Sequence, residues 1–259
     1  MKELKITTIQ SNLHWENKNS NLNMFSEKMN SISEKTDLIV LPEMFATGFS
    51  MNATKHFETM DGKCVEWMKE NASNLKSALC GSLIIKENEN YFNRFIWVDQ
   101  NGKLSYYDKA HLFRIGEEDK HYTKGNRRVI IEYEGWKIAP FICYDLRFPV
   151  WMKRSEEFEY DMLLLVANWP ERRNNHWKIL TQARAIENQS YLVAVNRVGY
   201  DGHGINHTGD STVYSPLGEI IIRRTEDESI DTVILNQQTL LDYRKSFPVY
   251  LDDDLFKLS

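Results

Sequence analysis

Short apolar runs alternate with amphipathic segments along the chain. Residues 4–9 alternate apolar and polar positions and residues 37–41 are almost entirely apolar, both typical of strands, whereas apolar positions in residues 21–32 recur at helical spacing. The same patterns predict further strands at 78–85, 91–98, 104–107, 129–132, 136–142, 162–166, 191–197, 212–214 and 219–223, and further helices at about 63–71 and 176–188.

This order of elements predicts the fold class. Strand, helix and strand follow one another on both sides of Cys143, which indicates an α/β fold, and we expect a four-layer αββα sandwich or a closely related two-sheet fold. No low-complexity linker or repeat divides the 259 residues, of which 42% are hydrophobic, so we expect a single domain over residues 1–259. Residues 237–259 carry aromatic and acidic side chains and are expected to pack as a tail on the domain or on a partner.

Charge and composition narrow the classes of function. A net charge of −5 and a pI of about 5.9 provide no basic surface for nucleic acid or an anionic membrane, and no apolar run approaches the length of a membrane span. The N-terminus lacks the apolar block of a signal peptide, and Cys64, Cys80 and Cys143 have neither disulfide nor metal-ligand spacing. We therefore expect a soluble protein of the reducing cytoplasm that binds neither nucleic acid nor membrane.

Cys143 lies where the character of the chain changes. The apolar strand 136–142 ends there, and Tyr144, Asp145 and Arg147 follow as polar groups suited to a tight turn into a helix. Such a turn exposes a side chain next to unpaired backbone N–H groups, and the positive end of a helix dipole there lowers the pKa of a thiol. The pattern indicates a nucleophile, while the alternative for an isolated cysteine is a small buried packing residue.

Two charged residues also follow predicted strands. Glu43 comes directly after strand 37–41 and Pro42, at the carboxyl end where α/β folds commonly place their sites, and Lys109 ends the meander of strands 91–98 and 104–107. Taken singly, each is typical of a solvated surface charge. Together with Cys143 they supply the carboxylate, ammonium and thiol that amide hydrolysis requires.

Three sequence blocks contain these residues and resemble a known family. LPEMFATGF, YDKAHLF and CYDLRFP are similar to the three catalytic blocks of the nitrilase, or carbon-nitrogen hydrolase, superfamily, and the similarity extends over essentially the whole chain. CYD together with HLFRIGEEDKHY most resembles the bacterial omega-amidases. The resemblance implies the nitrilase type of αββα sandwich, with neither cofactor nor metal.

The resemblance also implies a role for each reactive residue. Cys143 attacks the amide carbonyl, and Glu43, its proton affinity raised by apolar neighbours, serves as acid and base. Lys109 and the backbone N–H of Tyr144 stabilise the oxyanion. A covalent thioester on Cys143 is the implied intermediate.

One further residue is expected to act with this set, and two nearby residues are expected to be structural. Glu118 is implied as the second glutamate, which orients Lys109 and the substrate, with Glu117 beside it as the open alternative. Arg147 is expected to be an ion-paired structural residue, and His176 to support its helix.

The omega-amidase resemblance implies a short dicarboxylic acid monoamide as substrate, such as 2-oxoglutaramate or 2-oxosuccinamate. Its distal carboxylate requires a cation, for which Arg172 and Arg173 are candidates, although arginines in a loop are also commonly solvated. A small pocket with aromatic walls is expected from Phe45, Phe113, Phe148 and Trp169.

Other functions remain open at this point. A carbamoylase or an aliphatic amidase would keep the three reactive residues and differ in the pocket. A cysteine-histidine hydrolase would need a histidine base, and a non-catalytic binding module would not need reactive residues. The histidines available as a base are His111, His121, His176, His203 and His207, none in a recognised motif.

The same family resemblance predicts a homodimer. Family members commonly pair through the face that carries the helices next to the nucleophile, so Phe148, Val150, Trp151 and the tail 247–256 are candidates for a twofold contact. The alternative is that the apolar tail folds back on its own domain.

Overall fold

The computed structural model describes residues 2–254 as two β-sheets with helices on their outer sides. The strands are β1 (Glu3–Gln10), β2 (Leu38–Val40), β3 (Ala78–Glu87), β4 (Asn90–Val98), β5 (Leu104–Asp108), β6 (Ile131–Tyr133), β7 (Trp136–Ile142), β8 (Met162–Val166), β9 (Tyr191–Val195), β10 (Val198–Tyr200), β11 (Asn206–Tyr214), β12 (Ile220–Thr225) and β13 (Ser229–Asn236). The helices are α1 (Lys18–Asn30), α2 (Ala53–His56), α3 (Lys63–Leu75), α4 (Glu118–His121), α5 (Pro149–Met152), α6 (Asn174–Glu187) and α7 (Gln237–Ser246).

The first sheet has the order β13-β1-β2-β3-β4-β5, with β1, β2 and β3 parallel. Alternate side chains of its strands enter two different apolar clusters. On β2, Leu38 and Val40 join the cluster between the sheets, whereas Ile39 joins the cluster beneath α1 and α3. Both faces of this sheet are therefore covered, which explains why its central strands are nearly continuous apolar runs.

The second sheet has the order β10-β11-β9-β8-β7-β6, and β12 pairs with β11. Its central strands β7, β8 and β9 are parallel, and every residue of β8 is buried. Helix α6 packs against β9 and β11 through Trp177 and Ala185. The layers are thus helix, sheet, sheet and helix, which confirms the predicted sandwich. Within residues 2–254, no helix combines the length and apolar character needed to cross a membrane.

The C-terminal region differs from the prediction of a simple tail. Residues 237–246 form α7, whose Arg244 is buried and donates hydrogen bonds to the carbonyls of Tyr160 (2.6 Å) and Gln189 (2.9 Å). Beyond it, Lys153 pairs with Asp253 at 2.7 Å, so the following segment also contacts its own domain. Leu255 and Phe256 of the predicted contact lie outside the described residues.

Candidate active site

Side chains from both sheets meet in one buried cluster. Glu43 follows β2 and Lys109 follows β5 in the first sheet, while Cys143 follows β7 in the second. Glu118 joins them from the first residue of α4. The Nζ atom of Lys109 lies 2.9 Å from Oε1 of Glu43 and 2.9 Å from Oε1 of Glu118, and all three side chains are fully buried. One buried ammonium thus stands between two buried carboxylates.

The Glu43 carboxylate is held by donors on both oxygens. Its Oε1 accepts from Lys109 and from Nδ2 of Asn93 (2.8 Å), and its Oε2 accepts from the backbone N–H of Asn168 (2.7 Å). The Asn168 side chain also donates to the Glu43 carbonyl at 2.6 Å. Since Asn168 follows β8, these bonds join the two sheets directly at the site.

Glu118, and not Glu117, occupies the cluster. Both Glu118 oxygens accept from Lys109, and Oε2 also accepts from the backbone N–H of Phe113 at 2.6 Å. Glu117 is exposed and pairs with Lys120 on the surface. The sequence left Glu117 and Glu118 as alternatives, and it is Glu118 that contacts Lys109. Glu117 precedes α4 in a left-handed conformation (φ 59°), whereas Glu118 is the first residue of the helix.

Charges in the cluster shift the pKa values of its members. Desolvation alone would lower the pKa of Lys109, but the carboxylates of Glu118 and Glu43 outweigh it and raise that pKa above its ordinary value. Burial raises the pKa of Glu118, against the opposing pull of Lys109. The lysine is consequently a fixed cation.

The environment of Cys143 disfavours the thiolate. Burial, followed by the charge of Glu43, raises its pKa well above the usual range, and Lys109 opposes this only in part. The expected lowering by a helix dipole is wrong, because the turn continues into a short 3-10 helix (Cys143–Arg147) and desolvation dominates. Cys143 has a φ of 43°, a strained left-handed conformation for a residue with a side chain.

A cavity of about 170 Å³ opens above the thiol. Of the predicted binding residues, five line it: Phe113, Tyr144, Trp169, Arg172 and Arg173. Its other walls are formed by Phe49, Met51, Ile115, Gly116, Arg147, Asn168, Pro170, Asp201, His203, Ile205 and His207.

Two predicted aromatic residues lie elsewhere. Phe45 points into the apolar cluster beneath the helices, where its ring centroid is 5.7 Å from that of Phe25. Phe148 stacks on His111 with a centroid separation of 3.7 Å. Phe49 takes the place expected of Phe45, and the Lys109 ammonium lies 5.0 Å from its ring centroid.

Three arginines line the cavity, and none has a carboxylate partner in the part of the chain that the structure describes. Arg147 lies over the Trp169 ring at 4.7 Å and donates to Nδ1 of His176 at 3.0 Å, and Arg173 lies over the Phe113 ring at 5.0 Å. Within residues 2–254, neither these two nor Arg172 has an acidic oxygen within 4.0 Å. The expectation that Arg147 is ion-paired is therefore wrong, since its polar partner is a histidine.

Sequence reasoning missed several residues of the site. Asn93 had a visible signal, because it is a polar residue inside the apolar run of β4, and Asn168 follows the buried strand β8. The wall formed by residues 201–207 had no such signal, since only the pairing of β10 with β11 brings it to the cavity.

Comparisons with known proteins agree with this geometry. Residues 5–245 match the family model described as carbon-nitrogen hydrolase. Omega-amidase YafV of Escherichia coli K12 is 44% identical over the full length of both chains, and 2-oxoglutaramate amidase of Bacillus subtilis is 31% identical over 87% of each.

Solved structures give the same result. XC1258 of Xanthomonas campestris, a CN-hydrolase superfamily protein with an arsenic adduct in its active site, matches with a TM-score of 0.97 at 39% identity over all of both chains. Saccharomyces cerevisiae Nit3 matches in fold with a TM-score of 0.86, at 23% identity over 96% of this chain and 95% of that one. The chain therefore belongs to the carbon-nitrogen hydrolase family, as the three sequence blocks predicted.

Proposed function

We propose that this protein is an omega-amidase that hydrolyses the terminal amide of a short dicarboxylic acid monoamide, such as 2-oxoglutaramate or 2-oxosuccinamate, to the acid and ammonia. One observation carries the proposal: a cysteine beside a buried Glu-Lys-Glu cluster lies under a cavity whose wall has three arginines, none of which has an acidic partner among residues 2–254. The names of the YafV and 2-oxoglutaramate amidase relatives support the same substrate class.

The first half of the reaction forms a thioester. Glu43 removes the proton from Cys143 as the sulfur attacks the amide carbon, because a thiol with a raised pKa does not ionise beforehand. Lys109 and the backbone N–H of Tyr144 stabilise the tetrahedral oxyanion. Glu43 then returns the proton to nitrogen, the C–N bond breaks, and ammonia leaves.

The second half regenerates the enzyme. Glu43 takes a proton from water as the water oxygen attacks the thioester, the C–S bond breaks, and the proton passes to sulfur. Glu118 keeps Lys109 in place throughout, since both of its oxygens bind the ammonium. Lys109 and the backbone N–H of Tyr144 stabilise the oxyanion in both the formation and the hydrolysis of the thioester.

The arginines give the site its preference for an acid. Arg173 is half-buried, and desolvation followed by the charge of Arg172 lowers its pKa, so the free cavity holds mutually repelling cations. An incoming carboxylate relieves this repulsion and accepts charge-assisted hydrogen bonds. We assign Arg147 to this group with Arg172 and Arg173.

An ammonia-release assay tests the proposal across dicarboxylic monoamides, neutral amides of equal length, carbamoyl amino acids and nitriles. We expect kcat/KM for the dicarboxylic monoamides to exceed that for neutral amides by about a hundredfold, the value of one charge-assisted pair of about 3 kcal/mol. A preference for neutral amides would instead identify an aliphatic amidase, and one for carbamoyl amino acids a carbamoylase.

Arginine variants locate the carboxylate site. Arg147→Met and Arg173→Met are each expected to raise KM for the monoamide acid at least about tenfold and to leave neutral amides unaffected. Arg127→Met, which removes an exposed charge outside this cavity, is the matched control. Equal KM values in all three variants would contradict the assignment.

The cysteine-histidine alternative has no support in the geometry. Among the described residues, His207 is buried beside the cavity and its Nδ1 lies 3.0 Å and 3.2 Å from the carbonyls of Ile205 and Gly199. It makes no hydrogen bond to Cys143, and the ionisable group whose charge most affects the pKa of Cys143 is Glu43, which supports Glu43 as the base.

A further inference from the structure

A further buried carboxylate, Asp145, lies close to the reactive cluster without being part of it. Its Oδ2 accepts from the backbone N–H of Ile142 (3.0 Å) and the Tyr107 hydroxyl (2.8 Å), and its Oδ1 accepts from the backbone N–H (3.0 Å) and Nδ1 (2.8 Å) of His111. Among residues 2–254, no lysine or arginine forms an ion pair with it. Four hydrogen bonds therefore hold a fully buried carboxylate.

The donors to Asp145 come from the two segments that carry the reactive groups. Ile142 precedes Cys143 in the second sheet, whereas Tyr107 and His111 lie two residues before and two residues after Lys109 in the first. Asp145 therefore connects the cysteine turn to the lysine segment across the two sheets.

The cysteine turn needs such a connection. The left-handed conformation of Cys143 is strained for a residue with a side chain and persists only where the surrounding structure imposes it. The bond from the Ile142 N–H to Asp145 closes this turn around the strained residue. Loss of the bond would let the turn relax and move the sulfur.

We propose that Asp145 is a positioning residue, which fixes the Cys143 turn against the Lys109 segment so that sulfur and ammonium meet the same carbonyl group. The proposal rests on the proposed amidase function for its kinetic effect. A displacement of about 1 Å between reacting groups lowers a rate by about a hundredfold. Asp145 is not among the residues that line the cavity, and its hydrogen bonds go to Ile142, Tyr107 and His111.

Asp145→Asn tests the proposal, because the amide replaces one acceptor oxygen with a donor at nearly constant volume. We expect kcat to fall by about a hundredfold while KM changes less than about threefold. Iodoacetamide should also alkylate Cys143 at least about tenfold more slowly in the folded variant. Alkylation needs no amide substrate, so this readout stands even if the proposed function fails.

Asp161→Asn is the matched control for loss of a buried carboxylate. Asp161 precedes β8, where it accepts from the backbone N–H of Lys137 (3.1 Å) and from Arg244 (3.4 Å). Its replacement is expected to lower the unfolding midpoint and to leave kcat and the alkylation rate within about twofold of wild type.

A pair of His111 variants separates positioning from packing. His111→Asn keeps a donor near the place of Nδ1 and should retain kcat within about threefold, whereas His111→Leu loses it and should lower kcat at least about tenfold. The double variant that combines His111→Leu with Asp145→Asn should have a kcat no lower than that of Asp145→Asn alone.

Three results would overturn the proposal. One is wild-type kcat and alkylation in folded Asp145→Asn. Another is an equal loss of kcat in Asp145→Asn and Asp161→Asn, and the third is identical kcat in His111→Asn and His111→Leu.

Discussion

At the scale of single residues, the protonation state of Cys143 sets how the site works. Burial and the charge of Glu43 raise the pKa of its thiol, so in the proposed mechanism attack is coupled to proton transfer. In that mechanism the nucleophile depends on the placement of the proposed base and of the proposed cation for the oxyanion. Substitutions in this set therefore have larger effects on rate than on substrate binding.

Cys143→Ser is expected to abolish turnover, with residual activity below about a thousandth of wild type, because an alcohol in this position is a far weaker nucleophile. The unfolding midpoint should change little, since the side chains have similar volumes. Ammonia release and thermal unfolding measure both effects. Alanine at Cys64 or Cys80, which lie in the core away from the cavity, should lower stability and leave kcat unchanged. Wild-type turnover by Cys143→Ser would disprove the nucleophile assignment.

Glu43→Gln is expected to lower kcat by at least about a hundredfold, because the amide cannot exchange the proton of the thiol. Lys109→Met should have a similar effect through lost oxyanion stabilisation and should also destabilise the fold, because it leaves two buried carboxylates without a counter-charge. Steady-state kinetics and denaturant unfolding separate the two variants. Rates within a few-fold of wild type would rule out these roles.

Glu118→Gln and Glu117→Gln form a matched pair of neighbouring substitutions. The first removes a carboxylate that contacts Lys109 through both oxygens and should lower kcat at least about tenfold. The second changes an exposed side chain and should leave kcat within about twofold. If the two variants have equal kcat values, Glu118 has no part in orienting the lysine.

At the scale of elements, the sequence predicted the central strands well, because strands covered on both faces are short apolar runs. Strand β13 was not predicted. It lies at a sheet edge, where Ile230 and Ile234 are exposed while Asp231 is buried with Arg224 as partner. Its apolar residues therefore coincide only in part with its buried positions. Its pairing with β1 is a long-range contact that no local signal reveals. The position of Phe45 was also not visible in the sequence. The course of the chain after β2 decides whether its side chain enters the core or the cavity.

Gly125→Ala is expected to lower both stability and kcat. A Cβ there would lie 2.1 Å from the carbonyl oxygen of Asp108, and the Gly125 N–H donates to the Lys109 carbonyl at 2.8 Å, so the substitution must displace the lysine segment. We expect kcat to fall at least about tenfold in steady-state assays. Gly102→Ala is the control: its Cβ meets open space, and its φ of +79° costs about 1 kcal/mol of stability without an effect on kcat. Unchanged kinetics in Gly125→Ala would contradict the expectation.

At the scale of the whole molecule, one buried histidine contributes to the dependence of stability on pH. Burial, followed by the charge of Arg197, lowers the pKa of His207 from 6.5 to about 4, so between these values the unfolded chain binds a proton that the folded protein does not. The contribution of His207 to stability therefore falls as pH falls from 7 towards 4, by about 2 kcal/mol between pH 7 and pH 5. Urea unfolding at several pH values measures this, and His207→Asn should flatten the dependence. An equally steep dependence in that variant would refute the assignment.

Assembly also belongs to this scale, and the dimer stays a prediction. Val150 and Leu251, two apolar residues of the predicted contact, are 53% and 72% exposed, while the Lys153–Asp253 pair holds the tail against its own domain. We expect sedimentation of a dimer, and monomers or aggregates with lower activity after deletion of the residues following Ser246. Leu251→Asp should also dissociate the dimer, and Ile234→Asp, at an exposed sheet-edge position, should not. A fully active wild-type monomer at micromolar concentration would refute the dimer.

The meeting of both sheets at Glu43 has a consequence for inactivation. The bonds from Asn168 to Glu43 cross from one sheet to the other, and each sheet carries only part of the reactive set. A slip of one sheet over the other would separate sulfur from carboxylate while every strand keeps its backbone pairing. Under mild denaturant or hydrostatic pressure, hydrolysis should therefore cease before circular dichroism records any loss of strand, and catalytic rate can serve as a gauge of contact between the sheets.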